Sequence, residues 1–243
     1  MKYGILFATV AVLLVMLPVS QRGWQILLLW PAVSFGIVSL GYLRLGPRVY
    51  GKSERGLLSP MTQLVLLPYL LYLWAVWYAV RIVKREPAFN TLTENISIGR
   101  RLLSRELPND IDHVVDLTCE FNEPKALRSL TYHSFQILDG FVPSSGQLHE
   151  WSDRISKLSG NIYIHCAEGH GRTGLMAAGV LLHLGHSQTP DEALQFIRSK
   201  RPLVRLGQRQ LAVLNEMHKL AEQCGERANW KWFEDERGEI PPE

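Results

Sequence analysis

The sequence predicts an α/β domain with a central, mostly parallel sheet flanked by helices, preceded by transmembrane helices. Three observations predict it. Residues 3–21, 23–43 and 56–80 contain no Asp, Glu, Lys or Arg, and each stretch is close to or above the ~20 apolar residues that cross a bilayer core. From Arg81 onward the composition is that of an ordinary soluble chain, and the roughly 160 residues left suffice for one compact core. In that second part, short apolar and β-branched runs alternate with runs of helical period.

In chain order, the first elements are membrane spans at about 3–21, 23–43 and 57–83. Pro18-Val19-Ser20 is a poor match to a small-x-small cleavage site, and both a retained span and a removed leader stay open for the first stretch. Trp24, Trp30, Tyr42, Tyr69, Tyr72, Trp74, Trp77 and Tyr78 place aromatics near the ends of the other two, as in interfacial belts. Three spans would make a multi-pass protein. Lys2 and the loop bearing Arg44, Arg48, Lys52 and Arg55 would share one side. Arg22 and the collar Arg81, Lys84 and Arg85 would share the other with the following domain. That charge count is nearly even, so it does not orient the chain. Residues 1–85 thus read as a membrane region, 86–95 as a linker, 96–224 as a folded domain and 225–243 as a tail holding Trp230, Trp232 and Phe233 among acids.

Within the domain, strands are expected at Ile96–Ile98, Val114–Leu117, Tyr132–Ile137 and Asn161–His165, and helices at about 145–158, 173–184, 190–199 and 207–222. Thr189, Pro190 and Glu192 supply a cap, a first-turn proline and a capping-box acid for the third of these helices.

The run His165-Cys166-Ala167-Glu168-Gly169-His170-Gly171-Arg172-Thr173 sits between the last strand and a long apolar helix. Unpaired N–H groups and the positive end of the helix dipole converge at such a helix start and cradle an anion. Gly169 and Gly171 permit the backbone angles that turn N–H groups inward. Cys166 stands at the mouth, where the same potential, with Arg172 nearby, is expected to lower its pKa below the free value of about 8.5. A thiolate there can attack phosphorus and form a phosphocysteine. Arg172 offers a planar fork for two phosphoryl oxygens. Thr173 can donate its hydroxyl to the sulfur, and His165 is expected to orient the loop. Ala167, Glu168, Gly169, His170, Gly171 and Arg172 form the phosphate-binding turn. Glu168 is expected to point outward, since an acid facing the cradle opposes anion binding. His170 either adds positive charge when protonated or simply packs.

His-Cys, five residues, then Arg-Thr resembles the signature of the cysteine-based protein tyrosine phosphatase superfamily. The surroundings, about Ile96 to Leu220, resemble its dual-specificity branch. Ile98-Gly99-Arg100, Leu107-Pro108 and Val114-Val115-Asp116-Leu117 are similar to that branch's entry strands, and Arg201-Pro202 with Gln208 and Gln210 to its closing helices. The resemblance implies an acidic residue on a loop before the signature strand, which protonates the leaving oxygen and later activates water. Asp139, in Leu138-Asp139-Gly140-Phe141-Val142-Pro143-Ser144, is the candidate, 27 residues before Cys166. The alternative for Asp139 is a turn residue stabilising Gly140. Asp153 is a weaker rival, expected mid-helix on a solvated face. Asp116 lies within an apolar strand and is expected to make a structural bond.

These readings imply a membrane-anchored phosphomonoesterase acting on phosphotyrosine, phosphoserine or phosphothreonine in proteins. The alternatives are a phospholipid phosphatase of the phosphatidylglycerophosphate type, for which the family has precedent, and a non-catalytic phosphate-binding module. The catalytic domain is expected on the cytoplasmic side, where a reactive thiolate is protected from oxidation. No cofactor or metal is expected, since no histidine or cysteine cluster has ligand spacing. Nucleic acid is not expected as a partner, because the basic residues behind the net charge of +3 are dispersed. Cys119, Cys166 and Cys224 do not form a secreted disulfide pattern. Cys119 is read as a buried structural thiol; some relatives shield their nucleophile with a nearby cysteine, so a reversible disulfide with Cys166 stays open. Arg201, Arg205 and Arg209 either face phosphate or lipid headgroups or form a solvated basic face.

Overall fold

The computed structural model describes residues 2–20 and 23–223. The tail from Gly225 and the Cys224 thiol lie outside the described residues. The chain forms two compact units that interleave in sequence. The first unites the described residues up to Pro87 with Leu103–Leu107 and Asp116–Gly140. The second unites Ala88–Leu102, Pro108–Val115 and the described residues from Phe141 onward.

The first unit opens on α1 (Lys2–Ser20). A 27-residue helical run, Trp24–Tyr50, follows; it contains α2 (Leu29–Leu40) between a 3₁₀ stretch and a π turn. Among the described residues this is the one helix long and apolar enough to cross a membrane. The expected third span is broken into α3 (Pro60–Val65) and α4 (Leu67–Val83). Leu66, at φ −90° and ψ 4°, leaves the helical region there. Pro68 supplies no N–H, and its ring would clash with the carbonyl four residues back in a continuous helix.

These helices are apolar inside and out. Inside, the Ser39 hydroxyl donates to the Gly4 carbonyl at 2.7 Å and the Ser34 hydroxyl accepts from the Tyr69 N–H at 3.2 Å. Phe7 contacts Phe35, Tyr42 and Tyr69 edge-on or tilted. Outside, large apolar side chains such as Ile5, Leu13, Trp24, Leu27, Leu64 and Val83 are exposed. Among the described residues, exposed large apolar side chains lie between positions 3 and 83, except Phe196, Leu203 and Leu220.

The first unit also settles the expected charged loop. Lys52 is fully buried, its ammonium 2.6 Å from Asp116 Oδ2. A chain crossing a bilayer once between Arg55 and Arg81 would hold Lys52 and Asp116 on opposite faces, so the three-span reading is corrected. Charge counting treats loop cations as solvated; this one is an internal partner. Asp116 makes the structural bonds expected of it, accepting from Tyr132 Oη at 2.6 Å, from the Thr118 N–H at 2.7 Å and from the Thr118 hydroxyl at 2.8 Å. Burial, with the adjacent Asp116 carboxylate, pushes the Tyr132 phenol well above its ordinary pKa.

Five strands form one mixed sheet in the order β1-β2-β5-β3-β4: β1 (Phe89–Thr91), β2 (Ile96–Arg100), β3 (His113–Thr118), β4 (Thr131–Ile137) and β5 (Ile162–Cys166). The expected parallel character holds for β2 with β5, paired Ile96 to Ile162 through Arg100 to Cys166. It fails at the edge, where β1 pairs antiparallel with β2. The segment 86–95, expected as a linker, supplies that edge strand. After the short helix α5 (Lys125–Arg128), the second unit places α6 (Ser145–Ser156), α7 (Gly171–His183), α8 (Pro190–Lys200) and α9 (Gln208–Gln223) around its strands. Every residue of α7 from Arg172 to Leu182 is buried. Gly179 lets α6 approach it: a Cβ at Gly179 would lie 2.3 Å from the Ser152 hydroxyl.

Candidate active site

β5 is buried along its whole length and delivers Cys166 at its carboxyl end. The chain then turns in four residues into α7, which starts at Gly171, two residues before the expected start at 173, with His170 as N-cap. The turn closes on the sulfur: the Gly169 N–H donates to Cys166 Sγ at 3.2 Å. Gly169 takes φ 78°, the left-handed region that only glycine enters freely. A side chain there is also excluded by contact, since its Cβ would lie 2.3 Å from the backbone carbon of Gly99 in β2. Gly171 does not share this role; it is helical, and a Cβ on it would meet the Gln210 amide at 3.2 Å.

Arg172 and Thr173 follow, buried in the first turn of α7. The Thr173 hydroxyl has no hydrogen-bond partner among the described residues, and an unsatisfied buried hydroxyl calls for an explanation. His165 is fully buried and stacks on Tyr163, ring centroids 5.4 Å apart. Glu168 turns its half-exposed carboxylate to His170, 3.6 Å from Nδ1.

In the sequence Arg201 was legible as part of the Arg201-Pro202 resemblance and as one of three basic residues, not as a clamp on the turn. The structure buries it and uses all of its fork. Nε donates to the Gly169 carbonyl at 2.9 Å, Nη2 to the Glu168 carbonyl at 3.3 Å and Nη1 to Asn90 Oδ1 at 2.8 Å. Two successive carbonyls of the turn are thereby fixed by one side chain. Neither reading offered for it, facing phosphate or solvated, applies. Arg205 and Arg209 are exposed.

Asp139 lies in the first unit, two residues past β4, followed by Gly140 at φ 73°. α6 then starts at a capping box of Ser144 and Gln147. Asp153 is on α6 and pairs with Lys157 at 2.8 Å, the surface role expected of it. Cys119 and Cys166 are free thiols, both buried; the Cys119 sulfur and N–H both face Glu120 Oε2, at 3.5 and 2.9 Å.

Residues 90–186 match a family model described as "Polymorphic toxin system, DSP-PTPase phosphatase". Over 81 residues the chain is 31% identical to the phosphatidylglycerophosphatase and protein-tyrosine phosphatase 1 of Rattus norvegicus, and 32% identical to that of Mus musculus. Each alignment covers 32% of this chain, and the chain spans 42% of the length of these relatives. The crystal structure of PTPMT1 in complex with PI(5)P superposes with a TM-score of 0.50 at 20% identity, covering 57% of this chain and 99% of that one. That likeness speaks for the fold. Family match and shared stretch show that residues 90–186 are similar to phosphatases of the dual-specificity and protein tyrosine phosphatase kind, and the superposition shows that the fold is the same.

Proposed function

We propose that this chain is a membrane-anchored, cysteine-dependent phosphomonoesterase. The Cys166 sulfur attacks phosphorus while Arg172 and the amides of Ala167 to Arg172 hold the phosphoryl oxygens. Asp139 gives its proton to the leaving oxygen, forming the alcohol or phenol and a phosphocysteine. Asp139 then takes a proton from water, which attacks the phosphocysteine. Thr173 donates to the sulfur as it departs, and phosphate is released. The observation that carries this reading is the closed turn, with the Gly169 N–H on Cys166 Sγ and Arg201 on the carbonyls behind it.

Anchoring rests on the exposed apolar side chains between positions 3 and 83 and on the Trp24–Tyr50 run. Exposed apolar area on this scale is rare on soluble monomers. Residues 96–224 act as the catalytic domain, on the cytoplasmic side, where the thiol is protected.

The dual-specificity resemblance supports phosphoprotein substrates. A second reading, a phospholipid headgroup phosphate, is favoured by the apolar surface and by the relatives, named for both activities. Turnover of phosphotyrosyl and phosphoseryl peptides is compared with that of phosphatidylglycerophosphate in one detergent. A preference for the peptides of tenfold or more in kcat/KM supports the first reading; the reverse supports the second. Asp139→Ala tests the acid: it slows phenyl phosphate far more than 4-nitrophenyl phosphate, and equal losses would remove Asp139 from the role.

A further inference from the structure

We infer that the N-terminal helical region positions the acid, with Lys52 and Tyr3 as positioning residues for Asp139; this rests on the acid role proposed above. Two contacts from that region bracket Asp139. Upstream, Gln136 in β4 donates Nε2 to the Lys52 carbonyl at 2.8 Å. Downstream, Gly140 faces the Tyr3 ring of α1, where a Cβ would come within 3.3 Å. Gly140 and Tyr3 are therefore in contact range directly after the acid.

Lys52 is itself immobilised. Its ammonium contacts Asp116 at 2.6 Å and donates to both the carbonyl and the hydroxyl of Thr118 at 3.0 Å. The residues after it are fixed to β4 and to the connection between β3 and β4. Gly56, at φ 77°, lies against Tyr132, and a Cβ on it would be 2.7 Å from that ring. The Glu123 N–H donates to the Gly56 carbonyl at 2.8 Å, and the Leu58 N–H to Asn122 Oδ1 at 2.6 Å. Buried networks satisfied at this many points rigidify what they join. Residues 52–58 thus act as a brace between the apolar helices and the end of β4.

A general acid works only within hydrogen-bond reach of the oxygen it protonates, and a shift of about 1 Å can cost on the order of 10²-fold in rate. Loosening the brace should therefore impair protonation of the leaving group. The phosphate turn is built from second-unit residues and should keep its own chemistry.

The test uses the full chain in its purification detergent. Tyr3→Ala, Gln136→Leu and Lys52→Met are compared with Asp139→Ala on phenyl phosphate and 4-nitrophenyl phosphate, and the rate of Cys166 alkylation by iodoacetamide is followed in each. The expected result is a kcat loss on phenyl phosphate at least about tenfold larger than on 4-nitrophenyl phosphate, with KM and alkylation rate close to wild type. Wild-type ratios, or equal losses on both substrates, in variants that alkylate normally would overturn the inference while Asp139→Ala remains selective. Equal losses in Asp139→Ala itself would instead bring down the acid assignment and the inference with it. Lys52→Met leaves a buried carboxylate unpaired and is the variant most exposed to misfolding. Tyr3, half exposed, and Gln136 keep the test open if it does not fold.

Discussion

At the scale of single residues, the turn after Cys166 is held by two constraints of different kinds. Gly169 is a steric one: its φ of 78° and its contact with Gly99 leave no room for a side chain. Gly169→Ala is expected to displace the amide that reaches Cys166 Sγ and to lower kcat by about 10²-fold or more, the cost of losing one preorganised donor, measured with 4-nitrophenyl phosphate. Arg201 is an electrostatic one, and its three acceptors need the guanidinium geometry. Arg201→Lys should therefore fail to restore what Arg201→Met loses, because an ammonium cannot reach three fixed acceptors in one plane. Recovery of wild-type kcat in the lysine variant would show that charge alone suffices. The turn after Cys166 was readable because strand, turn and helix are contiguous. Arg201 was not, since a clamp on carbonyls from 32 and 33 residues away leaves no local pattern.

At the scale of elements, the contacts from Lys52 to Leu58 bear on stability as well as on the positioning proposed for Asp139. Removing one partner of a buried ion pair typically costs about 3–5 kcal/mol, so Lys52→Met should lower the unfolding free energy by that order in denaturant titration. A change within about 0.5 kcal/mol, the range of ordinary surface substitutions, would mean the pair is solvated in solution. Tyr132 adds a pH signature. Its pKa is raised in the folded state by burial and by Asp116, so the phenol stays protonated where the unfolded chain, titrating near pH 10, does not. The sign follows: its contribution is fully present below about pH 10 and is lost as pH rises toward the folded-state value. Tyr132→Phe should flatten that alkaline decline in thermal unfolding; an unchanged slope would assign the decline to other groups. The helices of the second unit were legible from their period and, at Thr189, from a cap. The strand Phe89–Thr91 was not, because three residues next to Pro87 carry no alternation to read.

At the scale of the molecule, composition separated an apolar part from a domain, but the compact units do not follow that boundary. Residues 116–140 belong with the apolar helices, and Trp74 and Trp77 pack on Phe121 within the same unit. Long-range partners such as Lys52 and Asp116 decide this, and hydropathy cannot see them. Anchoring predicts that the full chain stays with membranes after alkaline carbonate extraction; release into the supernatant would reduce the apolar surface to a contact for another protein. The central claim is covalent catalysis at one sulfur. Its most direct test is rapid quenching of the Asp139→Asn variant with 4-nitrophenyl phosphate, followed by mass spectrometry of the peptide that holds Cys166. The account predicts a burst of nitrophenol and one added phosphoryl group on Cys166. Phosphoryl transfer to another side chain, or full turnover in Cys166→Ser, would contradict it.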